Sequence, residues 1–449
     1  MNYNIFKAYD IRGVYPTDLD EEAFYRIALA YAAQLKPKNV AVGMDARLSS
    51  PSLKEKVVQG LLDSGVDVVE VGEVTTDMIY FAVGAYNYSG GIIVSASHNP
   101  GEYNGMKMVR EKVAAISSDT GLFDIRDALK EGKIGKPALA KPGVREKKDI
   151  LDDYVEKVLS FIDKSAIRPF KFVANGNFGF VGKSVRKIVE VLGLTMIPLN
   201  FDPDGSFPKG PPDPMLPGNR RETEALIRSS NADFGVAWDA DADRVMFFDE
   251  KGQFIHGVYT TAFLAKILLE KYGCNNTIIF DPRVVWPIQR VVDKMGGTPV
   301  IYKSGHAFMK DKMRSLNALF AGELSAHYYF RDMFYADNGI IPFLLVMEYL
   351  SKSGKKLSEI IAPFMEGHYM TGELNYEVKS IPDILEKVKQ RFHKDGEENL
   401  IDGYSLESKE WRFNIRPSNT QPLLRLNVEA RKPGLVDKIK NELLEIING

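Results

Sequence analysis

Val40-Ala41-Val42, then Asp45-Ala46-Arg47-Leu48-Ser49-Ser50-Pro51, then Val57-Val58-Gln59-Gly60-Leu61-Leu62 with a break at Gly65, then Val66-Asp67-Val68-Val69-Glu70-Val71: this order of residues decides the fold class. A β-branched run reads as a strand, and apolar residues at helical spacing read as an amphipathic helix. Pro51 stands where a first helical residue would, with Ser50 as its expected N-cap. The same pattern recurs with Phe170 to Ala174, a loop Asn175-Gly176-Asn177-Phe178-Gly179, a helix from Lys183 to Leu192, Gly193, and the strand Thr195 to Leu199. It recurs again with Thr277 to Phe280, the loop Asp281-Pro282-Arg283, a helix from Pro287 to Lys294, Gly296-Gly297, and the strand Pro299 to Tyr302. Each unit has the size of a βαβ motif, about 30 residues.

Each unit is followed by another short strand that empties into a polar loop. The first is Gly91-Ile92-Ile93-Val94, leading to Ser95-Ala96-Ser97-His98-Asn99-Pro100-Gly101. Asn104-Gly105 is expected to make a further turn before Met106, Lys107 and Met108 resume an extended pattern. Hydroxyls, an imidazole, an amide and an ammonium are the inventory of a phosphoryl-transfer site, where positioning and charge neutralisation do most of the catalysis. Taken alone, these residues equally suit a solvated turn. The second strand, through Phe234, Val236 and Trp238, leads to Asp239, Asp241, Asp243 and Arg244; the third, Leu319 to Ala321, leads to Gly322-Glu323-Leu324-Ser325-Ala326-His327. Open α/β sheets bind ligands at strand ends of this kind, so three equivalent loops point to one shared central cleft.

The aspartate loop is the most specific of these. On a straight strand, side chains at i, i+2 and i+4 lie about 7 Å apart, too far to share one small ion. Ala240 and Ala242 leave room for the loop to curl and bring three carboxylates together. Such a group repels itself unless a divalent cation is bound, and oxygen-only ligands favour Mg2+ or Ca2+. Against an EF-hand stand Arg244, where its sharp turn demands Gly, and flanks that read as strands. A haloacid-dehalogenase-type Asp-x-Asp start would sit beside the chain's first strand, whereas this motif follows residue 235.

The last 80 or so residues change pattern. Trp411, Phe413 and Ile415 alternate with Arg412, Asn414 and Arg416, and a turn through Pro417, Ser418, Asn419, Thr420, Gln421 and Pro422 precedes a second alternating run at Leu424, Leu426 and Val428. Leu435, Ile439, Leu443 and Ile446 give a closing amphipathic helix. This is a small α+β domain whose loop, Arg416 to Thr420, is either a phosphate clamp or an ordinary hairpin loop. The Gly-, Pro- and Lys-rich stretch from Lys130 to Asp149 reads as a linker with one hairpin, and Asp202 to Asn219 as a long connection.

Composition bounds the function. The 449 residues are too many for one core. Lys plus Arg number 58 against 60 Asp plus Glu, a net charge of -2 that calls for neither nucleic acid nor an anionic membrane as partner. A single cysteine, Cys274, excludes an internal disulfide framework and suits a reducing, cytoplasmic setting. The first residues have no signal-peptide pattern, and no apolar run reaches membrane-spanning length. A monomer or weak homo-oligomer is expected.

Together these motifs resemble the α-D-phosphohexomutases, and within them the phosphomannomutase/phosphoglucomutase group. The resemblance spans almost the whole chain. It rests on Tyr9-Asp10-Ile11-Arg12-Gly13, the Ser97-His98-Asn99-Pro100 loop with Asn104-Gly105 and Lys107, Asp239 to Arg244, Gly322-Glu323-Leu324-Ser325 with His327, and Arg416-Pro417-Ser418-Asn419-Thr420. It implies three similar α/β domains with mixed sheets plus a C-terminal α+β domain, with boundaries expected at 1–148, 149–250, 251–366 and 367–449. It also implies an isomerase that moves a phosphoryl group between O1 and O6 of a hexose phosphate.

Under the resemblance, Ser97 is the phosphorylated residue, and Ser97 with Asp239, Asp241 and Asp243 holds Mg2+. Glucose 1,6-bisphosphate, or mannose 1,6-bisphosphate, is the activator, and a hexose 1,6-bisphosphate is the intermediate that turns over in the cleft. Half a rotation of the ring roughly exchanges O3 and O4, so a pair of groups gripping both serves either orientation; Glu323 and Ser325 are that expected pair. Arg416, Ser418, Asn419 and Thr420 are expected to hold the distal phosphate on a domain that swings shut and excludes water. Lys107, His98, Arg244, His306 and His327 are the candidates to neutralise charge or carry a proton, Arg12 supports the Ser97 loop, and Lys303 and Arg283 serve from the third domain's loops. Two departures stand out: Met106 replaces a bulkier apolar residue, and Ala326 stands where Gly is common. Ala there would restrict the loop if the position needs positive φ. Glu-Leu-Ser rather than Glu-Gln-Ser favours this group over phosphoglucosamine mutase, the enzymatic alternative; a phosphosugar-binding protein without turnover is the other.

Overall fold

The computed structural model describes residues 1–135, 141–418 and 423–448. The chain forms two compact units, the first of residues 1–255 and 327–358, the second of residues 256–326 and 359–449.

The first sheet of unit 1 contains β1 (Ile11–Val14), β2 (Asn39–Met44), β3 (Asp67–Glu73), β4 (Gly90–Val94), β5 (Tyr103–Arg110) and β6 (Arg145–Lys147), in the order β1-β5-β4-β2-β3-β6. β4, β2, β3 and β6 run parallel, while β5 is antiparallel to both β4 and β1. Helices α1 (Glu21–Leu35), α2 (Ser50–Asp63), α3 (Thr76–Ala85) and α4 (Phe123–Lys130) accompany it. Phe24, Ile27 and Tyr31 of α1 and Val57, Val58 and Leu61 of α2 share one core with Val40, Val42, Ile92 and Val94 of the sheet.

The second sheet repeats the plan with β7 (Lys171–Asn175), β8 (Thr195–Leu199), β9 (Phe234–Trp238), β10 (Val245–Phe248) and β11 (Phe254–Ile255), ordered β11-β10-β9-β7-β8, and helices α5 (Leu151–Leu159), α6 (Val181–Leu192) and α7 (Pro217–Ser230). In unit 2, β12 (Thr277–Phe280) lies between β13 (Thr298–Ile301) and β14 (Phe320–Gly322), all parallel, with α8 (Gly257–Tyr272), α9 (Trp286–Lys294) and α10 (His306–Leu316). In all three repeats the first strand is central, and the third strand pairs on its other side. The loops at Ser97, Asp239 and Glu323 therefore leave topologically equivalent strand ends, as the repeats predict.

The chain then contributes β15 (Tyr328–Phe330), β16 (Ala336–Asp337) and α11 (Ile340–Ser353) to unit 1, and after α12 (Leu357–Met365) completes unit 2. There β17 (Tyr369–Met370), β18 (Leu374–Tyr376), β19 (Glu397–Asn399), β20 (Tyr404–Glu407), β21 (Trp411–Pro417) and β22 (Leu424–Ala430) form an antiparallel sheet, with α13 (Ile381–Phe392) and α14 (Pro433–Asn448). Phe392, Phe413, Val428 and Leu443 share its core, which bears out the α+β reading.

Three local expectations are corrected. Asn104-Gly105 is no turn: both residues lie inside β5, opposite Gly13 and Arg12 of β1. A Cβ at Gly105 would stand 2.1 Å from the Ile11 carbonyl oxygen, so the glycine permits close strand approach instead of a bend. The N-cap of α2 is Ser49, not Ser50, and it makes no capping bond. The Asn104 amide donates to the hydroxyl oxygens of both serines, at 2.8 and 3.1 Å, and Ser50 donates to Asp45. Between Lys130 and Asp149 the described residues contain no hairpin; Arg145–Lys147 extends the sheet beside β3, where Arg145 pairs with Glu70 and Glu55.

Candidate active site

Ser97 sits just past β4 in the left-handed backbone region, φ 51°. A non-glycine residue there is strained, and its neighbours must hold it in place. Arg47 does so: its buried guanidinium donates to the carbonyls of Ser97 (2.7 Å), Asn99 (2.7 Å), Pro100 (2.5 Å) and Tyr103 (3.0 Å) while paired with Asp45. Arg12, anchored by Asp10 at 2.7 Å, reaches the Asn99 side chain at 2.5 Å and the Ala96 carbonyl at 3.5 Å, so it supports the loop as expected. The connection after Asp202 also takes part, since Gly205 bridges to Arg47 and the Phe207 ring lies 5.0 Å below its guanidinium.

The aspartate loop curls as the spacing requires. Ala242 adopts φ 55°, its N–H bonds the Asp239 carbonyl at 3.1 Å, and carboxylate oxygens of Asp239, Asp241 and Asp243 come within 4.8 Å of one another. The loop is pinned on two sides. The Trp238 indole donates to the Gly339 carbonyl at 2.8 Å, and Thr76 donates through its amide to the Asp241 carbonyl (2.9 Å) and through its hydroxyl to the Asp241 carboxylate (2.6 Å).

Unit 1 brings these two loops together. Ser97 Oγ lies 3.0 Å from Asp239 Oδ2 and 3.1 Å from His98 Nδ1. Lys107 Nζ lies 2.6 Å from Asp241 and 2.5 Å from Asp243; Arg244 Nε lies 2.9 Å from Asp239. His327 belongs here, its Nε2 3.4 Å from Asp243 Oδ1 and its backbone bridged to Arg244. Burial opposes the Lys107 charge, yet Asp241 and Asp243 raise its pKa above the usual lysine value. Burial would raise Asp243, but Lys107 and His327 hold its carboxyl well below the usual range, while burial pushes Asp239 up against the pull of Arg244. Burial, with the Arg244 and Arg12 charges, pushes His98 well below its ordinary value and keeps it neutral. Asp241 Oδ1 is buried without a hydrogen-bond partner. Clustered carboxylates with an orphaned buried oxygen fit a divalent cation, and all donors are hard oxygens.

Unit 2 gathers the other predicted residues. Arg283 is held bidentately by Asp281 (2.9 and 2.8 Å) and approaches Ser325 Oγ at 3.4 Å and Glu323 at 3.8 Å. Glu323 accepts from the Gly305 amide at 2.9 Å, immediately ahead of His306 at the start of α10, and Lys303 Nζ lies 3.7 Å from the Phe308 ring centroid. Arg416 lies 3.5 Å from Glu373 and 3.7 Å from Asp402. Ser418 pairs through its amide with the Leu423 carbonyl; Asn419 and Thr420 lie outside the described residues. Ala326 has φ 66°, so this position does require positive φ and carries its strain on an alanine.

Models of the phosphoglucomutase/phosphomannomutase family match in four pieces: alpha/beta/alpha domain I at residues 3–134, domain II at 152–252, domain III at 256–367 and the C-terminal domain at 373–446. The chain is 42% identical over 453 residues to phosphohexose mutases of Xanthomonas campestris pv. campestris, covering 100% of both chains. It is 41% identical to a phosphomannomutase of Salmonella montevideo, covering 100% of this chain and 99% of that one. A crystal structure of a phosphoglucomutase/phosphomannomutase family protein from Burkholderia thailandensis superposes with a TM-score of 0.89 at 30% identity, covering 99% of this chain and 97% of that one. The chain belongs to the α-D-phosphohexomutase family.

A phosphohexomutase is an isomerase, and metal dependence is general to the class. Among the described residues no helix is long and apolar enough to cross a membrane. Three residues that shape this phosphohexomutase escaped sequence reasoning. Arg47 and Thr76 act on backbone and carboxylate groups far away in sequence, which periodicity does not register. Glu373 precedes a short strand and has no motif of its own.

Proposed function

We propose that this phosphohexomutase interconverts the 1- and 6-phosphates of mannose and of glucose through phospho-Ser97 and a hexose 1,6-bisphosphate. One observation carries the reading: a strained, buried serine hydroxyl lies 3.0 Å from the first carboxylate of a convergent three-aspartate loop. Ser97, Asp239, Asp241 and Asp243 would hold Mg2+, which when bound withdraws charge from the phosphoryl group. Lys107 and Arg244, held in the charged state by their carboxylates, neutralise the transferring oxygens. His98 and His327 are the imidazoles left to carry the proton between serine and sugar hydroxyl.

Unit 2 supplies recognition in this reading. Glu323 and Ser325 grip O3 and O4, with Arg283 steadying Ser325, and Arg416 and Ser418, with Asn419 and Thr420, hold the distal phosphate. His306 and Lys303 serve the same sugar phosphate. Glucose 1,6-bisphosphate or mannose 1,6-bisphosphate primes the enzyme by phosphorylating Ser97. The near-zero charge supports small hexose phosphates as partners, with neither nucleic acid nor membrane, and the single cysteine supports a cytoplasmic location; a monomer or weak homo-oligomer completes the reading.

The test is a set of initial rates with Mg2+ and glucose 1,6-bisphosphate on mannose, glucose and glucosamine 1-phosphates. Comparable rates on mannose and glucose are expected, because a grip on O3 and O4 ignores C2. Preference for glucosamine 1-phosphate would overturn the assignment.

A further inference from the structure

Glu373, just ahead of β18, meets three guanidinium groups. Its Oε2 lies 3.3 Å from Arg283 Nη1 and 3.5 Å from Arg416 Nη2, and its Oε1 lies 3.1 Å from Arg425 Nη1. Arg416 and Arg425 are direct cross-strand partners in the β21–β22 ladder. Like charges placed so are destabilising unless an anion sits against them. Arg416 is nevertheless deeply buried, at 2% exposure. Behind it Gly403, at φ 74°, brings the chain so close that a Cβ would stand 2.4 Å from Arg416 Cβ.

Asp281 already holds two groups of the Arg283 fork and Asp402 stands 3.7 Å from Arg416 Nη1, so the donor with room for a further anion is Arg416. The Glu373 contacts are at the long end of hydrogen-bond range, and Arg416 Nε is buried without a hydrogen-bond partner. Arg416 therefore has donor capacity to spare for an anion with more oxygens than a carboxylate, and a phosphate has that number and tetrahedral spread. Burial opposes the Glu373 charge, yet Arg283, Arg425 and Arg416 hold its carboxyl below the usual range, so it is present as an anion.

We propose that Glu373 is a resident counter-anion that keeps Arg283, Arg416 and Arg425 converged, and that the phosphate of the hexose phosphate takes these groups over from it. Arg425 is thereby a third phosphate-binding arginine. The inference rests on the reading of Arg416 as a phosphate clamp. Glu373 is a positioning residue: it sets phosphate affinity by competing for the same donors, which makes binding strong enough to select phosphosugars and weak enough to release them.

Inorganic phosphate is the probe, measured on the full chain as a competitive inhibitor of the mutase reaction and by calorimetry. Glu373→Gln, which keeps the shape and removes the charge, is expected to tighten phosphate about tenfold. Arg425→Gln is expected to weaken it by a similar factor, and Arg425→Lys to restore part of the loss. The Glu373→Gln protein should melt lower than wild type without phosphate and gain more than wild type when it is added. Unchanged or weaker phosphate binding in Glu373→Gln, with binding lost in Arg416→Gln, would overturn the counter-anion. Unchanged binding in Arg416→Gln would instead overturn the clamp reading on which it rests.

Discussion

Three non-glycine residues, Ser97, Ala242 and Ala326, hold positive φ at the ends of the three equivalent loops. Left-handed backbone costs an L-residue roughly 1–2 kcal/mol, so each persists because neighbours fix the loop around it. At Ser97 the result is a hydroxyl aimed at Asp239; at Ala242 it is the convergence of three carboxylates. A second kind of residue-scale device is the buried Glu429, which accepts from the Val285 and Trp286 amides (2.9 and 3.3 Å), Arg412 (3.2 Å) and His368 (2.9 Å). Burial opposes its charge, but His368 and Arg412 depress its pKa below the ordinary 4.5. Its stabilisation is therefore present above that value and lost as pH falls through the lower folded one. Glu429→Gln should cost roughly 3–5 kcal/mol at neutral pH, as breaking a buried ion pair does, and the gap in melting temperature from wild type should close on acidification. A gap independent of pH would contradict this role for Glu429.

The elements were legible where local chemistry and tertiary role agree. The β2–α2–β3 pattern and its two repeats were readable because β-branched runs, helical spacing and Gly stops all describe the same units. The curl of the aspartate loop was readable because the alanines between its carboxylates leave room for the three to converge. Asn104-Gly105 misled because this dipeptide normally bends a chain, whereas here β5 passes so near β1 that a Cβ on Gly105 would stand 2.1 Å from the Ile11 carbonyl oxygen. The support of β4's loop by Arg47 was illegible for the opposite reason: its partners are carbonyls, which every residue has. That support predicts a kinetic effect at the scale of the loop. Arg47→Lys offers one ammonium in place of a planar fork that reaches four carbonyls. It should lower kcat about 10²-fold, the order expected when a reacting group shifts by about 1 Å, with the protein still folded by circular dichroism. An unchanged kcat at saturating hexose phosphate would show that the serine needs no such frame.

At the scale of the whole molecule, one βαβ plan is used three times, and the proposed nucleophile, metal loop and sugar loop each follow the third strand of a repeat. The fourth domain abandons the plan for an antiparallel sheet, whose β21 presents Arg416. Ser97 and the aspartate loop lie in unit 1, and Glu323, Arg283 and Arg416 in unit 2. The proposed mechanism stands on phosphate passing through one serine. The direct measurement is to incubate the Mg2+-loaded protein with glucose 1,6-bisphosphate carrying labelled phosphate, map the label by peptide mass spectrometry, and chase with mannose 1-phosphate. The label should appear on Ser97, be absent from Ser97→Ala, and leave onto the hexose during the chase. Label on another residue, or turnover at a normal rate by Ser97→Ala, would contradict it.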